Sequence, residues 1–273
     1  LSAGYKPELD STAELKADSV QFYQEIVGQL RWAIEIGRVD ILLETSLISS
    51  HLALPREGHL EQALHIVGYL KSHKKMRLLF DSAYPKIMDT WFHEYDWFDF
   101  YRDAKEAIPP NMSEARGRDV NITCFVDANH AGNVNDRRSE TGILIFVNKA
   151  LVHWYSKRQN TVEASTFGAE FCAMRTAIEM VEGLCYKLRI FGVPIDGATN
   201  IYCDNEAVYK NTVMPESTLK KKHHSIAYHR CREAVAAGTV RVAKQGTTKN
   251  LADLFTKVLT VARRTFLLER FTY

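Results

Sequence analysis

From about residue 119, β-prone and helix-prone segments alternate along the chain, and this alternation most constrains the fold. The segments "TGILIFVNK" and "ALVHWYSKRQ" predict an antiparallel pair around a turn at Asn148–Lys149. A long helix is predicted over about 165–191, followed by the strand "NIYCDN", two helices, the strand "TVRVAKQG" and a closing helix. Together with the first strand, "NITCFVDANHAG", this order predicts a mixed five-stranded α/β sheet with helices on its faces.

The residues before this pattern divide into a helical region and a connector. Apolar residues with a helical period predict helices over 19–37, 40–54 and 57–72, and "RLLFD" is expected to form a short strand. Residues 84–118 contain the aromatic and acidic run "WFHEYDWFDFY" and are expected to connect two domains and pack between them. The expected organisation is therefore a helical region at 1–83, a connector at 84–118 and a sheet domain at 119–273.

The composition is that of an ordinary globular chain. Of 273 residues, 46% are hydrophobic and 25% charged, and no apolar run is long enough for a membrane helix, so no membrane partner is expected. Five scattered cysteines without a CxxC pair predict reduced thiols in an intracellular protein and do not favour a zinc site. The chain lacks an initial Met and a secretory signal, which predicts a fragment, a processed product or a partial gene model.

Basic residues occur in four short clusters, although the net charge is only +2. Any one cluster is typical of a solvated surface, but four of them favour a surface that faces phosphates. The clusters are "KSHKKMR" at 71–77, "DRR" at 136–138, "SKR" at 156–158 and "LKKKHH" at 219–224.

Four acids lie near the ends of the predicted elements. Asp127 closes the first strand, Asp204 closes the fourth, Glu170 lies at the edge of the apolar face of the long helix, and Asp253 opens the closing helix. Taken alone, Asp204 could cap the next helix, and Asp253 fits the first turn of a helix capped by Asn250. Taken together, buried carboxylates favour a shared divalent cation. Two such ions can stabilise both oxygens of an in-line phosphoryl displacement.

The amino-acid sequence around these acids resembles the ribonuclease H domain of Ty1/copia-type retrotransposon polyproteins. The resemblance covers residues 119 to about 260, and the segment from "FYQEIVGQLRWAI" to "HIVGYLKSH" is similar to the thumb-like end of the same family's reverse transcriptase. The motifs that carry it are "VDANHAG…DRRSETG", "WYSKRQNTVEASTFGAEFCAM", "IYCDNEAV", "KKKHHSIAYHRCRE" and "NLADLFTK".

This resemblance implies a ribonuclease H-like fold that cleaves the RNA strand of RNA–DNA hybrids during reverse transcription. It implies catalytic, metal-binding roles for Asp127, Glu170, Asp204 and Asp253, with two Mg²⁺ (or Mn²⁺) ions. The implied partners are the hybrid and the polymerase fingers and palm of the polyprotein, in cytoplasmic particles or the nucleus. The chain has no Tyr-x-Asp-Asp motif, so no polymerase activity is expected.

Candidate substrate contacts follow from residue type and position. Ser165 and Thr166 could hydrogen-bond the substrate, where an RNA 2′-hydroxyl is the distinguishing group, or could simply begin a helix. His223, His224 and His229 lack a spacing typical of a zinc site. The residues expected to contact backbone phosphates are Arg137, Arg138, Lys157, Arg158, Lys221 and Lys222.

Three other functions stay open at this stage. A catalytically silent module that binds RNA–DNA hybrids would keep the fold and the basic clusters. A transposase or integrase of the same superfold would use acids on the same strands, but with a Glu on the final helix as its last ligand. A structural spacer of the polyprotein gives no reason for four acids at the edge of a sheet.

Overall fold

The computed structural model describes residues 4–219 and 222–273 of the chain. Within these residues, five strands form one sheet: β1 (Ile122–Asn129), β2 (Glu140–Val147), β3 (Ala150–Arg158), β4 (Thr199–Cys203) and β5 (Val240–Lys244). The strand order is β3-β2-β1-β4-β5, with antiparallel pairing from β1 to β3 and parallel pairing from β1 to β5 through β4. The predicted mixed five-stranded sheet is thus confirmed.

The helices agree with most of the predicted segments. The helix α5 (Thr166–Ile190) is long because apolar residues recur along one face, from Phe171 and Met174 to Ile178 and Val181, and all four are fully buried. The α-helices of the described residues are α1 (Ala17–Glu35), α2 (Leu42–Ser49), α3 (Glu57–Ser72), α4 (Phe98–Tyr101), α5 (Thr166–Ile190), α6 (Glu206–Val213), α7 (Ser225–Ala236) and α8 (Val261–Leu268).

The sheet is covered on both faces. On one face, alternate residues of β1 such as Cys124 and Val126 pack against α5 and α7. On the other face, Leu144 and Phe146 of β2 pack against residues 251–255 and α8. The two layers place the carboxyl ends of β1 and β4 at an edge that both α5 and the C-terminal segment reach.

The N-terminal helices form a further hydrophobic cluster that reaches the sheet at Trp154. Tyr23, Leu30 and Ile66 are buried among α1–α3, and the ring of Trp154 from β3 packs against this cluster. The hydroxyl of Ser46 in α2 donates to Glu140 at 3.1 Å. The helical region therefore packs directly on β2 and β3.

The aromatic connector packs on the C-terminal part of the chain. Phe92 is 8% exposed and lies against Tyr202 of β4, with ring centroids 5.6 Å apart. Trp97 covers the guanidinium of Arg232 in α7. The strand predicted over "RLLFD" is wrong: this segment forms only an isolated bridge, in which Leu78 pairs with Thr272.

The single closing helix predicted from residue 250 is also wrong. A 3-10 helix over Leu251–Phe255 comes first, and α8 begins only at Val261. The 3-10 turn crosses β2 so closely that a Cβ added to Gly142 would lie 2.8 Å from the carbonyl oxygen of Ala252. The absence of a side chain at Gly142 therefore permits the 3-10 helix to approach β2 this closely.

Two further observations concern the whole chain. Among the described residues, none of the helices combines the length and apolar character needed to cross a bilayer. The five cysteines are unpaired with one another, and all except Cys172 are buried.

Candidate active site

Three of the four predicted acids meet at one edge of the sheet. Asp127 lies near the end of β1 rather than closing it, since the strand continues to Asn129, and Asp204 directly follows β4. Because β1 and β4 are parallel neighbours, their carboxyl ends share an edge. Glu170 reaches this edge from the second turn of α5. One carboxylate oxygen from each of the three lies within 4.8 Å of the others.

The carboxylate of Asp127 is almost completely enclosed. The residue is 1% exposed, and its Oδ2 accepts a hydrogen bond from the hydroxyl of Thr256. Its Oδ1 is buried and has no hydrogen-bond partner within residues 4–219 and 222–273. A buried carboxylate oxygen without a partner is costly, so this atom fits a position that a metal ion would bind.

The three acids cannot all carry a charge at low cost. Burial, followed by the charges of Asp127 and Asp204, raises the pKa of Glu170 to about 9. Burial and then the charge of Asp127 also raise the pKa of Asp204. A divalent cation among the carboxylates would remove this repulsion, and hard oxygen donors are the ligands that Mg²⁺ and Mn²⁺ prefer.

The fourth acid, Asp253, does not belong to this group. It lies in the 3-10 helix rather than opening an α-helix, and its carboxylate pairs with Lys257 at 2.6 Å and with Arg263 at 3.3 Å. The Nζ of Lys257 is also 3.2 Å from Oδ2 of Asp127. The ammonium therefore lies between the two aspartates that were expected to share a cation.

Lys257 was missed by the sequence analysis, although one signal was present. Its distance of four residues from Asp253 is the spacing at which an acid and a base meet within a helical segment. Burial disfavours the ammonium, but the charges of Asp127 and Asp253 outweigh this effect and raise the pKa of Lys257. The pairing with Asp127 has no such local signal, because it joins distant parts of the chain.

The capping alternative for Asp204 does not apply, because its neighbour performs that role. Oδ1 of Asn205 accepts hydrogen bonds from the backbone N–H groups of Ala207 and Val208 at the start of α6. Asn250, in contrast, caps the 3-10 helix as predicted, and its amide also donates to the carbonyl of Val126 in β1 at 3.0 Å. This last bond holds the segment that carries Asp253 against the strand that carries Asp127.

Ser165 and Thr166 lie at the start of α5. The Ser165 hydroxyl accepts a hydrogen bond from the N–H of Gly168 at 3.3 Å, so its role as a helix N-cap is present in the structure. Thr166 is exposed one turn before Glu170. Both residues are therefore on the end of α5 that faces the acidic group.

The predicted phosphate contacts divide into exposed side chains and side chains that contact an acid. Arg137, Lys157 and Lys222 are exposed, and Lys221 lies outside the described residues. Arg158 and Arg138 both contact Asp136, at 3.1 Å and 3.8 Å. These two arginines also line, with Lys257 and Thr256, a cavity of about 270 Å³. Basic groups thus lie beside the C-terminal segment that contacts Asp127.

Comparison with curated proteins relates the chain to mobile elements. It is 25% identical over 93% of its length to "Retrovirus-related Pol polyprotein from transposon RE1" of Arabidopsis thaliana. It is 27% identical over 91% of its length to the corresponding polyprotein from transposon TNT 1-94 of Nicotiana tabacum. The chain is homologous to Ty1/copia-type Pol polyproteins. It spans about 15% of the length of these relatives, and no protein-family model matches it.

Solved structures similar to the chain include ribonucleases H. Ribonuclease H1 of the archaeon Halobacterium salinarum is 16% identical and covers 50% of this chain and 94% of its own, with a TM-score of 0.39. LC11-RNase H1, solved in complex with an RNA/DNA hybrid, is also 16% identical and covers 50% of this chain and 93% of its own, with a TM-score of 0.40.

Proposed function

We propose that this part of the Pol homologue is a metal-dependent endonuclease that hydrolyses the RNA strand of RNA–DNA hybrids. The observation that carries the proposal is the group formed by Asp127, Glu170 and Asp204, whose oxygens lie within 4.8 Å of one another. The homology with transposon Pol polyproteins supports a nuclease of the ribonuclease H type.

The donor atoms fit a divalent cation. All three side chains supply carboxylate oxygens, and the partnerless Oδ1 of Asp127 is one of the buried atoms at the site. Asp127, Glu170 and Asp204 would hold Mg²⁺ or Mn²⁺. Asp253 would join them as the fourth ligand of a two-ion site in exchange for its pairing with Lys257 and Arg263. When bound there, such cations activate water for attack and neutralise the charge that develops on the phosphate.

The surrounding residues prepare this site. Thr256 holds one oxygen of Asp127, which fixes the direction of the other, and Asn250 anchors the C-terminal segment to β1. Glu170 holds a proton at neutral pH in the free protein, because burial and two acidic neighbours raise its pKa to about 9. A cation held by these carboxylates would displace this proton from Glu170.

Recognition of the hybrid follows from position and charge. Ser165 and Thr166 lie one turn from Glu170, where a hydroxyl can contact the 2′-hydroxyl that distinguishes RNA from DNA. Arg137, Lys157 and Lys222 would hold backbone phosphates; Arg138 and Arg158 would exchange their contact with Asp136 for phosphate, and Lys221 belongs to the same proposed set.

The chain would act as one portion of a larger enzyme. We propose that residues 1–83 are the thumb-like end of a reverse transcriptase, that 84–118 connect it, and that 119–273 form the nuclease domain. Fingers and palm would come from the rest of the polyprotein. Polymerisation by this chain itself is not expected, because its sequence contains no Tyr-x-Asp-Asp motif.

Cleavage of an end-labelled RNA–DNA hybrid tests the proposal directly. The wild-type chain with Mg²⁺ or Mn²⁺ should cut the RNA strand and leave double-stranded DNA and double-stranded RNA intact. Asp204→Asn should abolish cleavage, because it removes a negatively charged ligand. It should keep hybrid binding, because asparagine has nearly the same shape as aspartate and the position is only partly buried. Asp99→Asn, an exposed aspartate on α4, is the matched control and should cut like the wild type.

The silent hybrid-binding module is the second candidate, and one observation favours it. The ammonium of Lys257 already provides a positive charge between Asp127 and Asp253, so a cation is not required at that position for stability. A folded wild-type chain that binds the hybrid but leaves it uncut with either metal would support this module and exclude the nuclease.

A further inference from the structure

A second group of metal-ligating side chains lies outside the acidic edge. Glu163, in the segment between β3 and α5, meets His223 and His224, which belong to the 3-10 turn Lys222–His224 before α7. One ligand atom from each of the three lies within 4.8 Å of the others. His229, which shares the histidine-rich sequence, is instead bonded through Nδ1 to the hydroxyl of Tyr101 at 2.8 Å.

The carboxylate of Glu163 is oriented toward the histidines. The hydroxyl of Thr161 donates to its Oε1 at 3.0 Å, which leaves Oε2 on the side of His224, 3.5 Å from Nε2 of that ring. The backbone carbonyl of Glu163 contacts Nε2 of His130 at 2.9 Å, so the main chain is anchored as well. Hydrogen bonds that fix a ligating carboxylate in this manner are typical of protein metal sites.

A glycine makes room for the convergence of the donors. A Cβ added to Gly168 would lie 2.7 Å from both Oε2 of Glu163 and Nε2 of His224. No side chain can therefore replace Gly168 unless these two groups separate. His224 is only 5% exposed, and the ring of Phe167 packs edge-on against it with centroids 5.9 Å apart. The first turn of α5 thus lies directly beneath the buried side of this group, while His223 faces solvent.

The chemistry of these donors differs from that of the acidic group. Two imidazoles and one carboxylate suit zinc and similar transition metals, whereas Mg²⁺ prefers oxygen alone. Zinc bonds to such donors at about 2.0–2.2 Å, so the three donor atoms, which lie within 4.8 Å of one another, would draw together around the ion. Three protein ligands leave one position of a tetrahedral ion open for water or another ligand.

We propose that Glu163, His223 and His224 bind one Zn²⁺ ion. The ion joins the turn before α7 to the segment that leads into α5, and so fixes the end of α5 that carries Glu170. This proposal uses no residue of the acidic group and does not depend on the proposed nuclease activity.

Zinc titration of matched variants tests the site. All proteins carry Asp204→Asn, which weakens the acidic group as a competing site, and binding of Zn²⁺ is followed by calorimetry. The parent should bind one Zn²⁺, and Glu163→Gln or His223→Ala should each weaken it by at least ~10-fold, the scale of losses at metal ligands and their supports. His229→Ala is the control from the same segment and should bind zinc like the parent.

Cobalt provides a second readout that separates this site from carboxylates. Co²⁺ bound at the proposed site should give the intense visible absorption of a tetrahedral complex with nitrogen ligands, and His223→Ala should remove it. His223 is exposed, so this substitution is expected to leave the fold intact. A parent that binds no Zn²⁺, or equal binding by the parent, Glu163→Gln and His223→Ala, would overturn the proposal, whatever the result of the hybrid-cleavage assay.

Discussion

Lys257 shows how one residue changes the electrostatics of the acidic edge. Its ammonium lies 2.6 Å from Asp253 and 3.2 Å from Asp127, both of which are buried. Without this charge, Asp253 would keep only its contact with Arg263, and Asp127 would have no cationic partner among the described residues. The lysine and a bound divalent cation are therefore two ways of neutralising the same aspartates.

Lys257→Met should lower the free energy of unfolding by about 1–3 kcal/mol in the absence of metal. This loss of stability is smaller than that expected on breaking a fully buried ion pair, because the Lys257 side chain is 37% exposed. Addition of Mg²⁺ should stabilise the variant more than the wild type, since the cation then replaces the ammonium. Urea unfolding with and without Mg²⁺ measures both effects.

Lys210→Met is the matched control for this substitution. Lys210 pairs with Glu206 at the same four-residue spacing but on the surface, where loss of the pair should leave the free energy of unfolding nearly unchanged. Equal losses for the two variants would contradict the role given to Lys257.

At the scale of elements, Arg232 joins α7 to the segment that follows α6. The residue is 2% exposed, and its guanidinium donates to the carbonyl oxygens of Met214 at 2.8 Å and Pro215 at 2.6 Å. It also donates to the Ser217 hydroxyl at 2.8 Å, and the ring of Trp97 covers it. One side chain thus connects a helix, a loop and the aromatic connector.

Arg232→Lys should destabilise the protein by about 2–4 kcal/mol, because an ammonium cannot serve acceptors spread around a planar guanidinium. Arg230→Lys on the same helix is the control. Arg230 pairs with Glu182 at the partly exposed surface, so this substitution should lower the free energy of unfolding by no more than about 1 kcal/mol. Thermal unfolding of both variants gives the comparison. Similar losses would show that the buried contacts of Arg232 contribute little.

At the scale of the whole molecule, buried acids occur both at the candidate site and where the helical region meets the sheet. Glu140 accepts hydrogen bonds at 3.1 Å from Ser46 of α2 and Ser156 of β3, and burial raises its pKa to about 7. The pKa of Glu170 is raised further, to about 9. Because these carboxyls hold protons in the folded protein, its stability depends on pH in the neutral and alkaline range.

The metal-free protein should lose stability as pH rises from 7 to 9. The folded carboxyl of Glu170 keeps its proton up to about pH 9, whereas its ordinary pKa is 4.5, so the unfolded chain binds fewer protons in this window. The slope contributed by one such group is at most about 1.4 kcal/mol per pH unit. Glu170→Gln should reduce the slope, and urea unfolding at pH 7, 8 and 9 with a chelator measures it. Parallel curves for the two proteins would refute this prediction.

Periodicity predicted most of the elements, because the alternation of apolar residues is a local property. The turn at Asn148–Lys149, the long helix α5 and the strand before Asp204 all appear where the pattern placed them. The closing helix was wrong because contacts with β2 at Gly142 and β1 at Val126 override the helical pattern of residues 250–260. Those contacts join residues more than a hundred positions apart.

The sequence by itself indicated most of the strands and helices, and it placed Asp127 and Asp204 near the ends of two strands and Glu170 on the long helix. The structure made the first and fourth strands parallel neighbours, which brings the two aspartates to one edge of the sheet. Only the tertiary structure decided that Lys257 lies between Asp127 and Asp253. Only the tertiary structure, likewise, showed that Glu163 meets His223 and His224 next to Gly168, which has no side chain to separate them. The physical reason is that a hydrogen-bonded element depends on neighbours along the chain, whereas a charge pair or a metal site depends on where distant segments pack.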